Sequence, residues 1–184
     1  PCAVQGVRRR ADGFEIDTDA GPVRAPQLVI ASGGLSIPKI GASDFGYRLA
    51  RQFGHRLVQT RPALVPLTCD GAAWAPFAAL AGVAWEVDIG CGAGARSRRS
   101  VRVTEDLLFT HRGLSGPAVL QISTFWSAGD PLRIDLAPDA RVGSALSQAK
   151  ATSRRRLGNQ LADWLPQRLA AAFPAAIGLA AATP

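Results

Sequence analysis

One continuous apolar run most constrains what this chain can fold into. Residues 28–31 (Leu-Val-Ile-Ala) are apolar without interruption, which is typical of a strand buried on both faces. Residues 32–34 (Ser-Gly-Gly) follow, and their missing Cβ atoms let the backbone approach a ligand closely. A helix is predicted to begin near Ser43 or Asp44, either of which can cap it. This order is how α/β proteins admit a nucleotide, although a plain structural turn has the same spacing.

The residues before this run predict an antiparallel meander. Residues 3–10 form a candidate strand that ends in a turn at Asp12-Gly13. Apolar and acidic residues then alternate from Phe14 to Asp19, and this period of two marks a half-buried strand. A third strand begins at Val23 after a Gly-Pro turn.

The pattern of predicted secondary structure changes from residue 63 onward. Several short β-like segments separated by glycine-rich and arginine-rich turns predict a sandwich or a barrel. They are Leu64–Cys69, Val83–Ile89, Ser100–Thr104, Leu107–Thr110 and Leu132–Leu136. Pro117 has the position of a first helical residue, with Ser115 as the predicted cap. Three Ala/Leu-rich segments near the end predict helices, and these are Ser144–Ala151, Arg154–Leu165 and Gln167–Phe173.

The chain is strongly basic, with a net charge of +7 and a pI of about 10.6. A basic balance suggests anionic partners such as nucleic acid, phosphate or a nucleotide cofactor. Arginines cluster at residues 8–10, 96–102 and 154–156, and residues 141–170 carry six basic residues against one acid, Asp163, for a net charge of +5. However, no aromatic residues interleave with these arginines as in a stacking platform for single strands. A solvated helix face explains the charge equally well, so the sequence disfavours nucleic acid as a partner.

Composition excludes several other classes of protein. Cys2, Cys69 and Cys91 are widely spaced and there are only His55 and His111, so we expect free thiols in a reducing compartment and no metal site. No apolar run has the length of a membrane span and no signal peptide is recognisable, which predicts a cytoplasmic protein without a membrane partner. The chain lacks methionine and begins with proline, which suggests truncation or processing.

Three sequence blocks carry a family resemblance. They are residues 31–55, beginning Ala-Ser-Gly-Gly-Leu-Ser-Ile-Pro-Lys-Ile-Gly, residues 61–67 (Arg-Pro-Ala-Leu-Val-Pro-Leu) and residues 107–123, beginning Leu-Leu-Phe-Thr-His-Arg-Gly-Leu-Ser-Gly-Pro. In this order they resemble the BaiN/YhiN-like NAD(P)/FAD-dependent oxidoreductases, also called aminoacetone oxidase family FAD-binding enzymes. The resemblance extends from about Leu28 to Phe173. Ser32 is one departure, since the family more often has threonine there.

The resemblance implies an α+β multidomain fragment of a flavoprotein. A partial, Rossmann-like FAD/NAD(P)-binding domain would occupy residues 1–62, a β-barrel insert domain residues 63–140, and a helical subdomain with the tail residues 141–184. The segments that grip most of the flavin would be missing, so the missing halves of the same enzyme are implied partners. The implied cofactors are FAD and NAD(P)H. The resemblance implies that FAD is contacted by Ala31, Ser32, Gly33, Gly34, Ser36 and Pro38. It implies no bound metal.

His111 is the candidate catalytic residue, because histidine can act as an acid or base near neutral pH. Its block, residues 111–117, reads equally well as a tight turn that feeds a helix, with His111 bonded to the backbone. No Ser-His-Asp pattern involves Ser115.

Two functional hypotheses follow. The main one is a fragment of a FAD-dependent, NAD(P)H-linked oxidoreductase acting on a small-molecule substrate. The alternative is a non-catalytic basic barrel and helical module that binds nucleic acid or a partner protein.

Overall fold

The computed structural model describes residues 2–92, 100–138 and 141–179. The chain divides into two compact units, residues 1–60 and residues 61–184. Helices and strands both occur, so the predicted α+β class is confirmed in its coarse form. No helix in the described part of the chain is both long and apolar enough to cross a bilayer.

The first unit contains the predicted meander. Strands β1 (Val4–Arg10), β2 (Gly13–Thr18) and β3 (Val23–Ala25) form an antiparallel sheet in the order β1-β2-β3. The register pairs Val7 with Ile16 and Ile16 with Val23, which places these apolar residues on one face.

Helix α1 (Phe45–Gln52) follows after a single 3-10 turn at Pro38–Ile40. The Gln52 amide donates a hydrogen bond of 2.6 Å to the carbonyl of Val7, and the rings of Phe14 and Phe53 meet edge to face. These contacts hold α1 to the meander. Asp44 occupies the predicted cap position, but its carboxylate pairs with Arg48 at 3.0 Å and makes no capping bond.

The predicted buried strand at Leu28–Ala31 is wrong. This segment has no strand assignment, and Val29 is 86% exposed. A strand buried on both faces needs a hydrogen-bonded neighbour on each side, and the first sheet, as described, ends at β3. The apolar run identifies a segment that favours burial, but it does not supply the neighbouring strands, and the Rossmann-like fold stays unconfirmed.

The second unit is built on a five-stranded antiparallel sheet. Its strands are β4 (Leu67–Thr68), β5 (Ala84–Cys91), β6 (Val101–Thr110), β7 (Gly113–Ser115) and β8 (Leu132–Asp135). Their order is β4-β7-β6-β5-β8. The two strands predicted at Ser100–Thr104 and Leu107–Thr110 are one continuous strand, β6, because the acidic residues Glu105 and Asp106 pair with β5 and do not interrupt the ladder.

Five helices complete the described part of this unit. They are α2 (Gly71–Ala78), α3 (Pro117–Ser123), α4 (Val142–Thr152), α5 (Leu157–Leu161) and α6 (Gln167–Ala176). Helix α3 packs on β5 and β6, and the core between them includes the fully buried Val87, Ile89, Leu107, Val119 and Ile122. Leu161, Leu169 and Ala170 of α5 and α6 belong to the same core.

Ser115 is not the cap of α3, contrary to the sequence-based prediction. It pairs with Leu108 in the β6–β7 ladder, and Gly116 holds the cap position with Pro117 as the first helical residue. Gly116 has φ +90°, and a Cβ there would lie 2.7 Å from the Asp106 carbonyl oxygen. The cap position therefore requires glycine. A residue with a side chain, such as serine, would not fit there.

Candidate functional site

The predicted ligand residues 31–38 lie together on the exposed connection between β3 and α1. Ala31, Ser32, Ser36 and Pro38 are all exposed, and the Ser36 N–H donates to the Gly34 carbonyl at 2.9 Å. Gly33 has φ +72°, and no atom lies within 4 Å of the position its Cβ would take. The backbone at this point is therefore open to a ligand.

This connection rests against the start of α1. A Cβ on Gly46 would meet the Ser32 hydroxyl and the Ile30 side chain, each at 3.3 Å, and a Cβ on Gly34 would meet the Tyr47 hydroxyl at the same distance. Two glycines thus allow the loop and the helix to approach closely. The strand expected before this loop is absent, and the assignment of residues 31–38 as cofactor ligands stays a prediction.

His111 lies in the turn between β6 and β7 and is exposed beside Arg112. The turn is held by Thr110, whose hydroxyl donates to the Gly113 carbonyl at 2.8 Å, and by Trp74, whose indole N–H donates to the Thr110 carbonyl at 2.9 Å. These bonds fix the backbone around His111 without using its ring. The assignment of His111 as an acid or base stays a prediction.

A concentration of exposed positive charge in the helical segment lies where α4 is followed by α5. Lys150 is in the last turn of α4, and Arg154 and Arg156 are in the linker between the two helices. All three side chains are exposed. We call this group, Lys150, Arg154 and Arg156, the basic junction.

Arg155 lies within the same linker but has a different role. Its guanidinium forms two hydrogen bonds with the Asp163 carboxylate, at 3.0 and 3.1 Å, and a third with the Asn159 carbonyl. The Arg155 hydrogen bond lowers the pKa of Asp163 below its usual range, so the pair stays charged at neutral pH. Arg155 thereby fixes the linker against the end of α5, and the arginines on either side of it are presented to solvent.

Close helix packing supports this linker from behind. A Cβ on Gly158 of α5 would lie 3.1 Å from the Ala170 carbonyl oxygen of α6. At the far end, the Arg168 guanidinium of α6 donates to the carbonyl of Ala79, just after α2. The basic junction is therefore part of a packed helical body.

An open groove of about 1010 Å³ lies between the β5–β8 side of the sheet and helices α4 to α6. Most of its lining is apolar, with Leu146, Leu165 and Phe173 among the contributors. Arg102 and Asp88 form an ion pair of 2.7 Å on its rim, and this pairing lowers the pKa of Asp88.

The arginine clusters look alike in the sequence, but they differ in the ion pairs that they form in the structure. Arg96, Arg98 and Arg99 lie outside the described residues, and Arg102 is paired with Asp88. Arg8 and Arg10 are paired with Glu15, whereas Arg9 lies on the other face of β1. Sequence reasoning missed that Arg155 is engaged by Asp163, because nothing in the linear spacing shows that pairing.

The cysteines and the potential metal ligands lie as follows. Cys2, Cys69 and Cys91 are free thiols. Within residues 2–92, 100–138 and 141–179, no cluster of three potential metal ligands occurs.

Comparison with known proteins gives one family and several relatives. The family described as "HI0933-like protein barrel and H2TH domain" matches residues 61–183. A protein of Escherichia coli named ribosomal RNA dihydrouridine synthase is 44% identical over 167 residues, which cover 90% of this chain and 40% of that protein. A protein of the same name from Haemophilus influenzae is 38% identical over 159 residues, covering 85% of this chain and 37% of that protein.

A third relative, named 3-dehydro-bile acid delta(4,6)-reductase, comes from Clostridium scindens. It is 32% identical over 144 residues, which cover 74% of this chain and 34% of that protein. The chain thus spans about 40% or less of the length of these three relatives. The reductase agrees with the implied oxidoreductase context in its coarse form.

Two sequence-based predictions are wrong in the light of these relatives. A small-molecule substrate was expected and nucleic acid was disfavoured, yet both relatives of higher identity are named for ribosomal RNA. The error has a physical reason. The lack of interleaved aromatics excludes only base stacking, whereas contacts to the phosphate backbone need cations and no aromatic residue.

Proposed function

Because this chain belongs to the HI0933-like protein barrel and H2TH domain family, we propose that it is the RNA-binding part of a ribosomal RNA dihydrouridine synthase. The basic junction is the observation that carries this proposal. It presents three exposed cations from a helical segment with a net charge of +5, and only one acid in that segment, Asp163, is available to neutralise them. That acid is already paired with Arg155.

Phosphate recognition explains why the arrangement suits RNA. Arginine presents up to five N–H donors in a planar fork that matches phosphate oxygens, and lysine adds a point charge. Cations that neutralise backbone phosphates release counterions, which supplies much of the affinity for any nucleic acid. A linker held by Arg155 and Asp163 loses less conformational freedom when it binds than an unrestrained loop does.

The helical body would position RNA, and the redox chemistry would lie elsewhere. Dihydrouridine differs from uridine by two hydrogens across one ring double bond, so its formation is a two-electron reduction. We propose FAD as the cofactor and NAD(P)H as the source of electrons; FAD, when bound, supplies hydride transfer. The open backbone at Gly33 and the hydroxyls of Ser32 and Ser36 fit the edge of such a group. Residues 31–34, with Ser36 and Pro38, are the residues we propose to hold it.

This chain is proposed to supply only part of the activity of its full-length relatives. Since the matched region is 40% of the E. coli relative, we assign RNA positioning to this chain and leave the reduction to the complete enzyme. A target base in structured RNA must leave its stack before chemistry can reach it. Backbone contacts at the basic junction would hold the RNA while this happens.

Fluorescence anisotropy with a labelled ribosomal RNA hairpin tests the proposal. The chain should bind the hairpin with an affinity that falls steeply as salt rises. Replacing Arg154→Gln and Arg156→Gln together should weaken binding by about tenfold or more and lower the salt slope by about 2, since each phosphate contact contributes about 1.

A matched double variant serves as the control. Arg51→Gln with Arg56→Gln removes the same charge from two exposed side chains of the first unit, and binding should change much less. Equal loss of affinity in both double variants would mean that only net charge matters. A chain that binds no RNA at low salt would contradict the proposal outright.

A further inference from the structure

A second group of arginines lies on one face of the first sheet. The register places Arg8 of β1, Glu15 of β2 and Arg24 of β3 directly across from one another. Arg10 reaches the same carboxylate from two residues further along β1. Because side chains alternate along a strand, Arg9 lies on the opposite face. We call Arg8, Arg10 and Arg24 the arginine face.

Glu15 fixes the three guanidiniums in position. Its side chain is only 5% exposed, and both of its oxygens are used. Oε1 accepts from Arg8 Nη2 at 3.2 Å and from Arg10 Nη2 at 2.7 Å, and Oε2 accepts from Arg24 Nε at 2.9 Å. These hydrogen bonds, that of Arg10 foremost, lower the pKa of Glu15 to about 2. The carboxylate is therefore charged at any pH at which the protein would work.

The cations exceed what this carboxylate needs. One arginine neutralises one glutamate, yet three surround Glu15. Among the described residues, the only other acid within ion-pair distance of them is Asp17, 2.8 Å from Arg8, whereas Asp12 acts on Arg10 only from a longer range. Within ion-pair distance, three cations therefore face two carboxylates. A buried carboxylate needs a partner, but one arginine already supplies its countercharge, so neutralisation of Glu15 does not account for all three.

The guanidiniums also retain free donors that face solvent. Their side chains are 60%, 50% and 75% exposed for Arg8, Arg10 and Arg24. Each has five N–H donors, and the contacts above use few of them. The side chains border an open depression of about 510 Å³, which Glu15, Asp17 and Thr18 also line.

We infer that the arginine face binds a phosphate group. Donors from two strands, β1 and β3, converge on one depression, Glu15 of β2 holds them in place before binding, and the arginines outnumber the carboxylates within ion-pair distance. The phosphate could belong to the backbone of RNA, which rests on the proposed function, or to a nucleotide. The two sources share this chemistry and are separated by experiment.

Inorganic pyrophosphate is the first probe. In the 15N-labelled chain, adding pyrophosphate should shift the arginine Nε–H signals of Arg8, Arg10 and Arg24 and leave that of Arg9 in place. Arg24→Gln should weaken this binding by about tenfold, and Arg9→Gln should leave it unchanged, since loss of a charge-assisted hydrogen bond costs about that factor. If the Arg9 signal shifted as much as those of Arg8, Arg10 and Arg24, or if none of the four signals shifted, the arginine face would not be a specific pyrophosphate site.

The labelled RNA hairpin is the second probe. If the phosphate belongs to RNA, Arg24→Gln should lower the salt slope by about 1 relative to Arg9→Gln, which removes an identical charge from another strand of the same sheet. If only pyrophosphate distinguishes the two variants, the source is a nucleotide. If neither probe distinguishes them while both variants melt like the native chain, the inference is wrong.

These outcomes are separable from those of the proposed function. RNA binding that depends on Arg154 and Arg156 but not on Arg24 leaves the proposed function in place and removes the RNA source from the arginine face. Failure of the whole chain to bind RNA contradicts the proposed function, and the pyrophosphate experiment still decides whether the arginine face is a phosphate site.

Discussion

The two units of this chain differ in how they bury apolar residues. In the second unit, sixteen described residues form one buried cluster around β5, β6 and α3. In the first unit, Val7 and Leu49 are the described apolar side chains that reach the same degree of burial, while Val29, Ile40 and Val58 are at least 77% exposed. The second unit thus supplies its own core, whereas the connection at residues 26–44 carries apolar side chains, such as Val29 and Ile40, that remain exposed within the first unit.

The largest expected effect is on the core of the second unit. Leu107 of β6 is fully buried, so Leu107→Ala should lower the free energy of unfolding by about 2–5 kcal/mol through lost transfer energy and the cavity left behind. Tryptophan fluorescence during urea unfolding measures this unit alone, because all four tryptophans lie within residues 61–184.

Val29→Ala is the matched change in the first unit. Since Val29 is almost fully exposed, the change should stay within about 0.5 kcal/mol. It is followed by the NMR amide signals of β1 to β3, because residues 1–60 contain no tryptophan. A large loss of stability on Val29→Ala would mean that residues 26–44 are buried in solution, and the contrast between the two units would fail.

A smaller effect is expected at the turn between β6 and β7. Gly113 has φ +148°, and a Cβ there would lie 2.1 Å from the Leu67 carbonyl oxygen. Gly113→Ala should therefore destabilise the second unit by about 1–3 kcal/mol, because both the backbone conformation and the β4 contact must shift.

Gly143→Ala is its control. Gly143 lies in α4, and no atom stands within 4 Å of the Cβ position. Alanine should stabilise this helix by up to about 1 kcal/mol. If the two substitutions shifted the tryptophan transition in the same direction, the close approach of β4 and β7 would be in error.

The smallest expected effect is a pH dependence of the first unit. The pKa of Glu15 lies at about 2 in the folded chain, below its ordinary value of 4.5. A carboxyl whose pKa is lowered by folding stabilises the fold above its unfolded pKa, and this contribution is lost as the pH falls through the folded pKa. Stability from Glu15 should thus decline between about pH 4.5 and pH 2.

Amide signals of β1 to β3 in NMR spectra can follow this decline. In Glu15→Gln the first sheet should lose this part of its pH dependence, while Asp88 and Asp163, whose pKa values are also lowered, keep theirs in the second unit. A Glu15→Gln chain that titrates like the native one in this range would show that the arginine face does not hold the carboxylate as described.

Local patterns predicted much of the secondary structure. Alternation and turn residues located β1 to β3, and Pro117 marked the start of α3. Such signals depend on residues close together in the chain, and the structure follows them. Leu28–Ala31 shows the limit, because a buried strand also depends on neighbouring strands that lie far away in sequence or outside the described residues.

The candidate site was less predictable. The sequence showed that residues 154–156 are basic. It could not show that Arg155 forms an ion pair with Asp163 while Arg154 and Arg156 remain exposed. Arg8, Glu15 and Arg24 likewise become neighbours only once the register of the sheet is known. Charge composition indicated an anionic partner, and the choice of RNA came from the relatives.

Crosslinking tests the central claim most directly. The chain can be irradiated with a ribosomal RNA hairpin that carries 4-thiouridine, and the crosslinked peptides identified by mass spectrometry. We expect crosslinks concentrated in residues 150–156. These crosslinks should be lost in the Arg154→Gln, Arg156→Gln variant but kept in the Arg51→Gln, Arg56→Gln variant. Crosslinks that avoid residues 150–156 and persist in the first variant would contradict the central claim.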